Sequence, residues 1–170
     1  MNRSLFAGLC LTLLTAFSAN AQKFGYCNST DLLTEIPEVK QAESELQGFQ
    51  TQLTKRGQEM VKALQDKAEE LKRKQDQGLI SPKDVETQTA KLEEEQEKIA
   101  QYEQDVYQKL SAKRQELFQP ILDRVNEAMK VVAIENGFAF VFDANTNVLL
   151  YADQSLDVTR QVKAKLGIAE

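Results

Sequence analysis

Histidine and tryptophan are absent from this 170-residue chain, which also has only two cysteines and three prolines. Without histidine there is no imidazole for acid–base work, which excludes His-dependent triads and the usual zinc sites. No glycine-rich phosphate loop is present, and no carboxylate pair stands out from a background of solvated glutamate. An enzyme, a cofactor and a metal site are therefore not expected. Lysine and arginine number 21 against 26 acidic residues, a net charge of −5. That balance argues against a nucleic-acid binder, because neutralising phosphates requires a basic excess.

Long apolar runs are equally scarce. One spans residues 5–17, LFAGLCLTLLTAF, preceded by Arg3 and followed by Ser18-Ala19-Asn20-Ala21. At about 1.5 Å per residue it is too short to cross a hydrocarbon core of about 30 Å, and its small residues Ala19 and Ala21 suit signal peptidase. Residues 1–21 are thus expected to be a cleaved signal peptide that exports the chain. Cys10 lies inside the apolar run after Leu9, so lipidation there is not expected. Removing Arg3 leaves 20 basic against 26 acidic side chains, a net charge of about −6. Only Cys27 then remains, which rules out an internal disulfide and suits a small residue in a strand.

What the chain does have is helical periodicity. Leu46, Phe49, Leu53, Met60, Leu64, Ala68 and Leu71 keep one stripe through a background of Gln, Glu and Lys, with Gly57 weakening it. A second stripe runs through Val85, Leu92, Ile99 and Val106, then Leu110, Leu117, Ile121 and Val125. Its alternate positions near Thr89, Gln96 and Glu103 are polar, which predicts two helices touching along a thin seam. Between the stripes, Gly78 suits the left-handed residue past a helix end, Ser81 a cap, Pro82 a first helical position and Asp84 the positive N-terminus. These signals predict antiparallel helices over about 34–77 and 82–135, joined by a tip turn near 78–82. Pro120 should kink the second helix, before a segment with a wider apolar face.

The chain ends differently. Phe138, Phe140 and Phe142 alternate with Ala139 and Val141, residues 143–147 are rich in turn formers, and residues 147–151 suit the second arm of a hairpin. A matching strand, KFGYCN, carries Phe24 and Tyr26 at the other end of the sequence. Three short strands do not bury both sheet faces in one chain, so the pattern predicts oligomerisation around Phe24, Tyr26, Phe138, Phe140, Phe142, Val148 and Leu150.

The order of leader, KFGYCNSTDLL, two long helices with a tip turn, Pro120, and GFAFVFDANTNVLLYADQSLDVTRQVKAKLG resembles the Skp (OmpH-like) family of periplasmic chaperones. The resemblance covers essentially the whole mature chain. Its most specific parts are residues 138–144, Tyr151-Ala152-Asp153, and Leu156-Asp157-Val158-Thr159 at the start of a last helix. It implies a mainly α fold with a small β part: a homotrimer whose strands form a central β-barrel-like body and whose helical-hairpin arms enclose a cavity. It also implies ATP-independent holding of unfolded outer-membrane proteins. On this reading residues 22–33 and 118–170 form the oligomerisation body and residues 34–117 the arm.

Sparse apolar residues on a long arm offer many weak contacts whose sum is large, which suits release without fuel. The expected client-facing set is Leu46, Phe49, Leu53, Met60, Leu64, Leu92, Ile99, Tyr102 and Val106. Tyr102 is expected beside the seam rather than on it. Stripes at helical spacing are also what zips two helices together. Lys72, Arg73, Lys74 and Lys83 gather at the tip, where they could make weak contact with anionic lipid headgroups or simply complement a helix C-terminus. The acidic balance departs from basic family members, and no lipopolysaccharide site is carried over. The competing function is a structural or adaptor coiled coil that binds one folded envelope partner.

Overall fold

The computed structural model describes residues 22–146 and 148–168; the expected leader and Asn147 lie outside the described residues. Strand β1 (Lys23–Cys27) leads into the short helix α1 (Ser29–Glu35), followed by α2 (Pro37–Asp76) and α3 (Pro82–Asn136). Strand β2 (Phe138–Asp143), two 3₁₀ turns and a last helix, α4 (Thr159–Leu166), complete the chain. The described residues divide into two compact units: a hairpin unit, Thr30–Glu127, and a terminal unit combining residues 22–29 with 128–146 and 148–168. No helix among the described residues is long and apolar enough to cross a membrane.

Proline sets one boundary that periodicity alone does not reveal. Ile36 is extended, with φ −74° and ψ 116°, and Pro37 opens α2. The ring of Pro37 disfavours helical geometry at the residue before it, so a continuous helix from Thr34 is broken into α1 and α2. Pro120 does not end α3, which continues through it to Asn136. Ile121 and Val125, just beyond that proline, are both buried.

The predicted tip is present. Gly78 has φ +66°. The amide of Leu79 bonds the Lys74 carbonyl at 2.9 Å and that of Gly78 bonds the Gln75 carbonyl at 3.0 Å, closing the end of α2. Ser81 then caps α3, its Oγ accepting from the Asp84 amide at 3.2 Å and donating to Asp84 Oδ2 at 2.6 Å. Partners step up α2 as they step down α3: Glu38 with Arg124, Glu45 with Lys113, Leu53 with Tyr102, and Lys67 with Glu95. The two helices are therefore antiparallel and in register over most of their length. With 40 and 55 residues, they are about 60 and 82 Å long at 1.5 Å per residue.

The strands correct the expected hairpin. Residues 148–151 form no strand, and β2 pairs with β1, parallel, Phe24 opposite Phe140 and Tyr26 opposite Phe142. On the other edge of β1, Val158 donates to the Tyr26 carbonyl at 2.9 Å, and Tyr26 and Asp157 form a single bridge. The cause lies at Asp143, whose side chain reaches across to Ser29 at the start of α1. It accepts from Ser29 Oγ at 2.7 Å, the Ser29 amide at 3.3 Å and the Asn145 amide at 3.0 Å. Asn145 in turn donates to Asn28 Oδ1 at 2.6 Å. A carboxylate so occupied winds residues 144–146 into a 3₁₀ turn rather than a reversal. The turn-rich stretch is thus a lock between the chain's two ends. The terminal unit's core is small, with Val132, Val158, Val162 and Cys27 each at most 1% exposed.

Candidate functional site

Two surfaces leave apolar groups uncovered, one on each unit. On the terminal unit, the pairing between β1 and β2 shifts register after Lys23 and Phe138, leaving Ala139 as an extra residue in β2. Phe138 consequently turns to the face of Lys23 and Gly25. The Lys23 ammonium sits 4.3 Å from its ring centroid, and a Cβ on Gly25 would approach that ring to 3.1 Å. This corrects the simple alternation that puts all three β2 phenylalanines on one face. Phe140 and Phe142 share the opposite face with Phe24, the three ring centroids lying 5.9 to 6.4 Å apart.

These three rings remain 43% (Phe24), 55% (Phe140) and 37% (Phe142) exposed. Tyr26, on the same strand, is half-buried. Val148, Leu150, Tyr151 and Ile134 are exposed as well. Burial acts first on the Cys27 thiol and pushes it up to about 11, so it stays protonated and unreactive at neutral pH. At Asp143 burial alone would raise the carboxyl, but the hydrogen bonds from Ser29 and Asn145 prevail and hold it below its ordinary value.

On the hairpin unit, Leu46, Phe49, Leu53, Met60, Leu64, Leu92, Ile99, Tyr102 and Val106 are all half-buried. Between residues 43 and 120, Leu71 is the one buried side chain among the described residues. The seam is thin, as its polar alternate positions predict, and no member of the set is either fully covered or fully free. Tyr102 needs correction. Its hydroxyl crosses to α2 and donates to the Leu53 carbonyl at 2.9 Å, with its ring 3.4 Å from where a Cβ of Gly57 would lie. It belongs to the seam, because the missing side chain at Gly57 lets the ring lie against α2.

Beside Tyr102 the helices leave a groove of about 670 Å³, with Leu53 and Val61 from α2 facing Ile99, Val106 and Leu110 from α3. Tyr107 stands at its edge, 78% exposed. Neither Val61 nor Tyr107 falls on the seven-residue stripe, which is why sequence periodicity passes over them. At the tip, Lys72, Arg73 and Lys83 are exposed, while Lys74 is half-buried and pairs with Glu70 at 2.7 Å. Leu79, between them in sequence, is 72% exposed. Among the described residues no group of His, Cys, Asp or Glu side chains is arranged to hold a metal.

The outer membrane protein (OmpH-like) family model matches residues 23–166. A chaperone protein Skp from Yersinia enterocolitica is 33% identical over 164 residues, covering 92% of this chain and 93% of that protein. Another from Pectobacterium atrosepticum is 31% identical, covering 92% and 96%. Among solved structures, an OmpH-like outer membrane chaperone from Caulobacter crescentus superposes with a TM-score of 0.72 at 18% identity, over 86% of this chain and 84% of its own. A family match over nearly the whole described chain, joined by relatives of matching length and by the same fold, places this protein in the OmpH-like outer membrane protein family.

Proposed function

We propose that this protein is an ATP-independent periplasmic holdase that keeps unfolded outer-membrane β-barrel proteins soluble, acting as a homotrimer. The observation that carries the reading is the hairpin's long apolar line, half-covered from Leu46 to Leu64 on α2 and from Leu92 to Val106 on α3. An unfolded barrel strand has alternating apolar residues, and each can take a weak contact from such a line. No single contact is strong, so the client is held by their number and is released without fuel. A dry coiled coil would satisfy its own stripe and offer nothing.

The terminal unit supports the oligomer. Three fully buried valines contribute about 1.5–3 kcal/mol each, a small core for a free-standing unit. The stacked Phe24, Phe140 and Phe142 would meanwhile face water. A shared, barrel-like body formed by symmetric copies covers those rings, and with them Tyr26, Val148 and Leu150. Residues 1–21, as a cleaved leader, deliver the chain to the compartment where such clients travel. No reaction is assigned to it.

The test is the light-scattering mass of the mature chain, alone and after a urea-unfolded outer-membrane barrel is diluted into it. Three protomers alone and a soluble complex with the unfolded client are expected. A trimer that leaves the client to aggregate, yet binds a folded envelope protein, would replace the holdase with an adaptor. A monomer would refute the shared body.

A further inference from the structure

We propose that the groove beside Tyr102 is a discrete docking site for one extended, uncharged stretch of client polypeptide, held by its backbone as well as by its side chains. The inference rests on the holdase reading and narrows it from a diffuse stripe to a bounded window. Its first support is charge. The chain carries 28% charged residues, yet of the fourteen residues lining the groove only Lys62 and Glu103 are charged. Lys62 is already committed to Asp66 at 2.8 Å. The next groove toward the tip, by contrast, is lined by Lys67, Glu70, Lys74, Lys91 and Glu95. A neutral window between charged stretches suits a neutral segment and penalises a charged one, whose desolvation it could not repay.

The second support is the chemistry of the rim. Gln50, Gln58 and Gln65 line the α2 side and are exposed. Each amide both donates and accepts, which is what the N–H and C=O groups of an unpaired backbone require, whatever the sequence. The third support is length. Gln50 and Gln65 are separated by about 22 Å along α2 at 1.5 Å per residue, room for about six or seven residues of extended chain at 3.3 Å each. A barrel's membrane strand has about 9–11 residues, so the window takes most of one strand. Its alternate apolar side chains would face Leu53, Val61, Ile99 and Val106, while the exposed ring of Tyr107 closes over one edge.

The chain contains no tryptophan, so a single Tyr107→Trp substitution supplies a unique fluorophore at the groove, and Leu79→Trp supplies one at the tip. Each variant of the mature chain is mixed with a urea-unfolded outer-membrane barrel whose own tryptophans have been replaced by phenylalanine. The Tyr107→Trp emission is expected to shift to shorter wavelength on client addition, and the Leu79→Trp emission to stay. Val61→Glu, which puts a charge in the window, should raise the chaperone concentration needed to keep the client soluble about tenfold, with unchanged helical circular dichroism. If the client stays soluble while the Tyr107→Trp emission does not move, the groove is not the site although holding stands. That emission decides the matter even if Val61→Glu costs helicity. Aggregation of the client in the presence of the unsubstituted chain would instead overturn holding itself, and the docking site with it.

Discussion

Asp143→Ala tests the claim that one carboxylate locks the two ends of the chain together. The side chain accepts from Ser29 Oγ at 2.7 Å and from the amides of Asn145 and Ser29 at 3.0 and 3.3 Å. Hydrogen bonds to a charged group contribute about 1.5–3 kcal/mol each when buried. Asp143 is only half-buried, and water would take up its partners in the variant, so the whole set is expected to contribute about 2 kcal/mol. Native-state hydrogen exchange of β1, β2 and the Ser29 and Asn145 amides is the assay. A loss of about 2 kcal/mol should speed exchange about thirtyfold where opening of the terminal unit governs it. Amides of α2 and α3 near Tyr102 should be unaffected. The same group predicts a pH dependence. Its folded-state value lies below that of the unfolded chain, so its contribution is complete above the unfolded value of about 3.9 and is lost as pH falls through the folded one. Asp143→Asn should flatten that acid limb. Exchange unchanged in Asp143→Ala would refute the lock and reopen the question of why no hairpin forms.

The remaining expectations are briefer. Phe140→Asp, which puts a charge among the three stacked rings, should lower the light-scattering mass from three protomers to one, and a persisting trimer would place the interface elsewhere. Gly78→Val at the left-handed tip should destabilise the hairpin by about 1 kcal/mol or more, because a β-branched residue is strained at positive φ; an unchanged urea midpoint would contradict the tip geometry. Replacing Lys72, Arg73, Lys74 and Lys83 with glutamine should weaken sedimentation with anionic vesicles at low salt and leave client holding unchanged. Binding that survives the replacement would remove the tip from any membrane role.

How much was legible in the sequence depended on the range of the forces involved. The tip was readable because a helix end is a local event: Gly78, Ser81, Pro82 and Asp84 act on their own neighbours within a turn, and nothing distant needs to be known. The antiparallel pairing followed from the same stripe-turn-stripe order, and the thin seam from its polar alternate positions. The break at Pro37 is equally local, set by the proline ring acting on Ile36, and it lies ahead of the apolar stripe, where periodicity says nothing.

The β pairing was beyond that reach. Residues 138–143 present the same period of two to any partner, so a nearby strand in sequence and a distant one look alike. Tertiary structure chose the distant one, with Asp143 accepting from Ser29 at the chain's other end as well as from its neighbour Asn145. The register shift that separates Phe138 from Phe140 arises from that same non-local pairing. Tyr102 is a similar case, since its place on the seam depends on Gly57 lying opposite, 45 residues earlier in the sequence. The amino-acid sequence by itself thus determined the helices, their caps and the amount of apolar surface on the arm. Only the tertiary structure decided which strands meet, which rings stay exposed and where the arm opens into a groove, because those outcomes depend on partners that adjacency in the chain does not name.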